Sequence, residues 1–126
     1  MNTASVFFLS HGAPSFALEP GSLGPQLRQI GQQLGNLAAA LVVSPHWQTH
    51  GLRVMHNAHP GTIHDFGGFA PALYTLHYPA PGHPQLAEEA YRLLSEAGFA
   101  PDVDERRGFD HGAWVPLLHL LPDAKT

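Results

Sequence analysis

Two histidines of this chain follow short apolar runs at matched distances. His11 stands two residues after the run at 5–9, and His46 stands three residues after the run at 38–43, within "VVSPHWQTH". The chain has ten histidines and no cysteine, so histidine and carboxylate are its only strong ligands for a transition metal. A single histidine at a strand end is more often an ordinary polar group, but two at matched positions point to a metal site.

The elements around these histidines predict that the two side chains meet. The apolar runs at 5–9 and 38–43 predict strands buried on both faces, and the spacing of apolar residues predicts a helix over 23–34, ending at Gly35. Strand, helix and strand in this order fit a right-handed parallel crossover. Because parallel strands end at the same edge of a sheet, we expect His11 and His46 to converge there, with Gly12 allowing a sharp turn.

The rest of the chain continues the same pattern. It predicts an edge strand over 52–56, a helix over 84–97 that begins at Pro84, a strand near Val103 and a helix over 114–121 with Pro116 in its first turn. The predicted fold class is α/β, with a mainly parallel sheet flanked by helices, and residues 1–126 are expected to form a single domain.

Two further histidines are candidates for a functional role. His64 in "TIHDFGGF" and His111 in "GFDHGAW" each stand beside an aspartate and a glycine. Asp110 is expected to be a turn residue or a helix cap. A carboxylate from Asp65 or Asp110 could also complete a site of two histidines and one carboxylate, which stays open as an alternative.

Composition excludes several classes of function. The six basic residues are not clustered and the net charge is −4, so nucleic acid is not expected as a partner. No apolar run approaches the roughly 20 residues that span a bilayer, so no membrane association is expected. The lack of cysteine and of a recognisable secretory signal leads us to expect a cytoplasmic protein.

Five motifs in order resemble one enzyme family. They are "SHGAP", "SPHW", "TIHDFGGF", "YPAPGHPQLAEEAYRLL" and "RGFDHGAWVPLLHLLPDA". Together they resemble the class III extradiol ring-cleavage dioxygenases of the LigB superfamily, and most of all its 4,5-DOPA dioxygenase-like group. The resemblance extends over nearly the whole chain.

The resemblance implies a mononuclear non-haem Fe(II) enzyme, with Zn(II) also accepted by the site. Such an enzyme opens a catechol ring, for example that of DOPA, beside the two hydroxyls and inserts both atoms of O₂. By motif match, His11 and His46 resemble metal ligands, and His111 resembles a pocket histidine near the substrate. His64 matches a family motif and is carried as a second catalytic candidate.

The chain departs from the family in length. Family members are about twice as long, and their remaining ligands lie in the carboxyl-terminal half. We therefore expect an N-terminal half, truncated after the first half of the fold, with an exposed apolar surface, self-association into a homo-oligomer and weak activity of its own. The alternative is a non-catalytic metal-binding fragment or subunit that needs a partner chain. A zinc hydrolase is a third possibility, but no motif supplies its general-base glutamate.

Overall fold

The computed structural model describes residues 4–126. These residues form three α-helices, a two-stranded sheet and two short 3₁₀ helices. In chain order the elements are a 3₁₀ helix Pro14–Ala17, α1 Leu23–Leu34, β1 Arg53–Met55, a 3₁₀ helix Pro71–Thr75, α2 Pro84–Glu96, β2 Asp102–Asp104 and α3 His111–Leu120.

The sheet is parallel. β1 pairs with β2 in the register that places Val54 beside Val103, and an isolated parallel bridge joins Thr62 to Phe109 farther along the same two stretches of chain. Since α2 connects the two strands and packs against β1, this part of the chain is a strand–helix–strand unit. The predicted α/β class is confirmed.

The sequence predicted the first two helices well. α1 has the predicted bounds and ends at Gly35, and its Leu27 is buried. α2 begins at Pro84, where the missing N–H of proline costs nothing in a first turn, and the His83 side chain accepts the N–H of Leu86.

α3 begins three residues earlier than predicted. Asp110 caps it, because its side chain accepts the backbone N–H of Ala113. The helix therefore starts at His111, and Pro116 lies inside it instead of in the first turn. The prediction of Asp110 as a helix cap is confirmed, and the predicted start of the helix at 114 is wrong.

The two predicted strands at 5–9 and 38–43 do not form. Within residues 4–126 neither stretch has a strand neighbour, and both are largely exposed; Phe8 and Val43 have nearly their whole side chains in solvent. Apolar composition indicated burial on both faces, but a ladder also requires a neighbouring backbone at hydrogen-bonding distance. No described segment supplies one here, so the prediction of two buried, paired strands is wrong for this structure.

The core lies around α3. Trp114 and Val115 are fully buried and cluster with Leu73 and Tyr78. The indole N–H of Trp114 donates to the Ile63 carbonyl, so the loop before the second 3₁₀ helix is fixed to α3. Among the helices of residues 4–126, none combines the length and apolar character needed to cross a membrane.

Candidate metal centre

Three histidines converge at the N-terminal end of α3. His11 and His46 approach each other with their Nε2 atoms 3.1 Å apart, and the ring of His111 lies 4.0 Å from that of His46 between centroids. Each of the three offers one nitrogen, and these nitrogens all lie within 4.8 Å of one another. The structure thus brings together His11 and His46, as expected, although residues 4–126 do not form the strand ladder that was expected to align them.

Each histidine of this group is positioned by a different local structure. His11 is followed by Gly12, whose φ of 60° is a left-handed conformation that glycine adopts without strain, so the chain turns directly after His11. His46 follows a proline in an exposed loop. His111 is the first residue of α3 and is buried.

The geometry fits one bound metal ion. Two nitrogens that each lie about 2.1 Å from the same ion are roughly 3.0–3.4 Å apart at ordinary coordination angles. The separation of 3.1 Å between the Nε2 atoms of His11 and His46 falls in that range. The Nδ1 atom of His11 is buried without a hydrogen-bond partner among the described residues. An all-imidazole donor set suits iron, zinc and neighbouring metals.

Asp65 orients His111. Its Oδ1 accepts the backbone N–H of His111 at 2.9 Å and lies 2.9 Å from Nδ1 of the same residue. The ring contact does not have the alignment of a hydrogen bond. Burial raises the pKa of Asp65, but the contacts with the backbone and ring of His111 lower it more, so that its pKa lies below the ordinary value. Asp65 is therefore an anion beside the ring.

Asp110 has partners other than the histidine nitrogens. Its Oδ1 accepts from Ser44 and from the backbone of Ala113, and its Oδ2 accepts from Arg107. These contacts occupy the carboxylate, which disfavours the alternative in which Asp110 completes a two-histidine, one-carboxylate site. Sequence reasoning missed Ser44, because nothing in "SPHW" indicates a partner 66 residues away.

His64 lies apart from the three converging histidines. Its Nε2 is 2.8 Å from the Leu76 carbonyl, and its ring packs 5.8 Å from that of Trp114 and 6.1 Å from that of Phe66. Phe66 in turn lies 5.7 Å from the ring of His111. The structure places His64 behind Phe66, and its catalytic role stays a prediction.

Aromatic rings form a wall beside His111. Phe66 packs 5.1 Å from Tyr74 and 5.6 Å from Phe69 between ring centroids. Tyr74 and Phe69 are each more than a third exposed, so part of this wall faces solvent. A flat aromatic molecule could stack here next to the histidines.

Comparison with known proteins shows which family this chain is similar to. Residues 6–126 match the model of a family described as the catalytic LigB subunit of aromatic ring-opening dioxygenase. An Escherichia coli K12 protein named 4,5-DOPA dioxygenase extradiol is 45% identical over 94% of this chain and 44% of its own length. A protein of the same name from Beta vulgaris is 38% identical over 98% of this chain and 47% of its own.

A solved structure supports the same relationship. The crystal structure of an uncharacterized protein from Escherichia coli K12 aligns with a TM-score of 0.61 and 35% identity, over 81% of this chain and 36% of that one. The chain spans about half the length of the curated relatives it matches and corresponds to their N-terminal half.

Proposed function

The chain belongs to the LigB family of aromatic ring-opening dioxygenases, and on this premise we propose that it serves the extradiol cleavage of a catechol such as DOPA by O₂. The observation that carries the proposal is the convergence of His11, His46 and His111 within 4.8 Å. Several relatives of the chain are named for extradiol cleavage of DOPA, which supports this choice of substrate class.

We propose that His11 and His46 hold the metal, and that it is Fe(II), with Zn(II) able to take its place. When bound, such an ion supplies a common anchor and a path for electrons between the catechol and O₂. The two histidines are neutral ligands, so they leave positive charge at the site to attract a catecholate anion. The exposure of His46 keeps one side of the group open to small molecules.

His111 is the proposed base. A catechol has to lose at least one hydroxyl proton to bind as an anion, and a neutral imidazole beside the proposed ion can accept it. The nearby Asp65 carboxylate stabilises the positive ring that results. Phe66 and its aromatic neighbours would hold the catechol ring flat, and His64 would support Phe66 from behind.

A second candidate function follows from the solvent-exposed segments near the histidines. The exposed run at 5–9, the equally exposed run at 38–43 and the exposed His46 favour a metal-binding module that completes its site with a partner chain. For that partner we propose a second copy of the same chain, in the cytoplasm. In this case metal binds to the isolated chain, but ring cleavage is weak or absent.

Oxygen consumption separates the two candidates. The protein is loaded anaerobically with Fe(II) and mixed with L-DOPA in an oxygen electrode, with tyrosine, which has one hydroxyl fewer, as the substrate control. We expect uptake of one O₂ per catechol consumed, abolished by His46→Ala and retained by His50→Ala at an exposed histidine in the same loop. Stoichiometric iron without any uptake would exclude dioxygenase activity of this chain and favour the binding module.

A further inference from the structure

The loop that carries His46 is tied to the start of α3 by one buried carboxylate. Asp110 is only 2% exposed. Its Oδ1 accepts the hydroxyl hydrogen of Ser44 at 2.5 Å, and the Ser44 oxygen accepts the backbone N–H of His46 at 3.2 Å. A continuous path of hydrogen bonds therefore runs from the residue before His111 to the backbone of His46.

The Asp110 carboxylate is itself held by two further donors. Arg107 donates to its Oδ2 at 2.8 Å, and the backbone N–H of Ala113 donates to its Oδ1 at 3.2 Å. The Arg107 guanidinium also lies 5.3 Å from the ring centre of Trp47, so it contacts the His46 loop as well as Asp110. A buried carboxylate with this many fixed donors is held in one position. It therefore restricts the position of the Ser44 hydroxyl that binds to it.

Gly112 provides the room for this contact. A Cβ atom at residue 112 would lie 2.5 Å from the Ser44 oxygen and 2.8 Å from Cδ2 of His46. Both distances are shorter than real carbon contacts allow, so any side chain here would push the loop away from α3. The loop approaches His111 this closely because residue 112 is glycine.

We infer that Ser44 and Asp110 are positioning residues, which set the distance of His46 from His111 while Gly112 leaves the space for it. The inference rests on the proposed function only in assuming that His46 is a metal ligand. None of the three residues is a ligand of the proposed ion. Removal of a residue that orients a metal ligand in this way typically weakens metal binding by about 10- to 100-fold.

The first test is metal affinity. Co(II), whose visible absorption reports its coordination, is titrated into the 126-residue protein, and Zn(II) affinity is then measured by competition. We expect Ser44→Ala to weaken binding by about 10-fold or more, and Ser44→Thr, which keeps the hydroxyl, to restore most of the loss. Ser22→Ala is the matched control, since this exposed serine makes no capping hydrogen bond. Gly112→Ala should weaken binding at least as much as Ser44→Ala.

The second test needs no metal. The ring signals of His46 and His11 are recorded by NMR in the metal-free protein. The ring of His119 is the reference, because its Nε2 is 2.8 Å from the Phe16 carbonyl and remote from Ser44. We expect Ser44→Ala to shift the signals of His46 and His11 and to leave that of His119 in place. Ser44→Thr should return them toward the wild-type positions.

The two tests separate failure of this inference from failure of the proposed function. If the wild type binds no metal, the proposed metal site is wrong, and the ring signals alone decide the positioning role. Metal affinity and ring signals that are the same in Ser44→Ala and in the wild type would overturn the inference. A change in Ser44→Ala that Ser44→Thr does not reverse would also overturn it, because the hydroxyl would then not be the cause.

Discussion

The Nε2 atoms of His11 and His46 lie 3.1 Å apart although 35 residues separate them in the chain. No strand ladder aligns them among residues 4–126. The approach depends instead on Gly12 at one side and on the path from Ser44 to Asp110 at the other. The two histidines are therefore fixed by contacts at the ends of their segments.

Metal content should depend on both of these histidines. We expect near-stoichiometric Fe(II) or Zn(II) in the wild type and at least 10-fold weaker binding in His11→Ala and in His46→Ala, because each substitution removes one of a few ligands. Elemental analysis after desalting gives the stoichiometry. His50→Ala should bind as the wild type does, and an equal loss in this control would point to non-specific binding by exposed histidines.

The hydroxyl of Tyr78 should stabilise the fold. It is buried and donates to the Leu121 carbonyl at 2.8 Å, which fastens the end of α3 to the core. We expect Tyr78→Phe to lower the free energy of unfolding by about 1–3 kcal/mol, since the carbonyl loses its partner. Urea denaturation measures this, with Tyr91→Phe as the control at a half-exposed ring. Equal loss in both variants would contradict the assignment.

The same tyrosine predicts an alkaline transition. Burial raises the pKa of Tyr78 from 10.0 to about 12. Because the pKa is higher in the folded state, the neutral Tyr78 side chain contributes its full stabilisation below pH 10. This contribution is lost as the pH rises to about 12. The wild type should therefore lose roughly 2–3 kcal/mol over this window, and Tyr78→Phe should lose clearly less. Parallel pH profiles for the two proteins would show that Tyr78 titrates normally.

Self-association should follow from the exposed apolar runs. Val6, Phe8, Leu41 and Val43 are each more than four-fifths exposed, and they lie in the two stretches that lead to His11 and His46. We expect light scattering at micromolar concentration to give a mass above the 13.6 kDa of one chain. The double substitution Phe8→Glu and Val43→Glu should shift the protein toward the monomer.

The control for this prediction is Phe99→Glu. Phe99 is also exposed but follows α2, away from these runs, so the charge should leave the mass unchanged. A wild type that is monomeric throughout the micromolar range would refute self-association through this surface.

The sequence predicted elements with local causes better than pairings between distant segments. α1 and α2 follow from apolar periodicity and from Pro84 and Gly35, all of which act within a few residues. The strands at 5–9 and 38–43 were predicted wrongly, because a ladder depends on a neighbour that apolar composition does not specify. The link from Ser44 to Asp110 is equally long-range, and it depends on the shape left by Gly112.

His11 and His46 come from two separate stretches, so an ion held by both would close the loop between them. This loop contains α1. In a chain without cysteine, such a junction would act as the covalent cross-link does in a disulfide-bonded domain, by limiting the freedom of the unfolded chain. Removal of the ion would then release this loop, so that the chain would lose its chemistry and part of its stability at the same time.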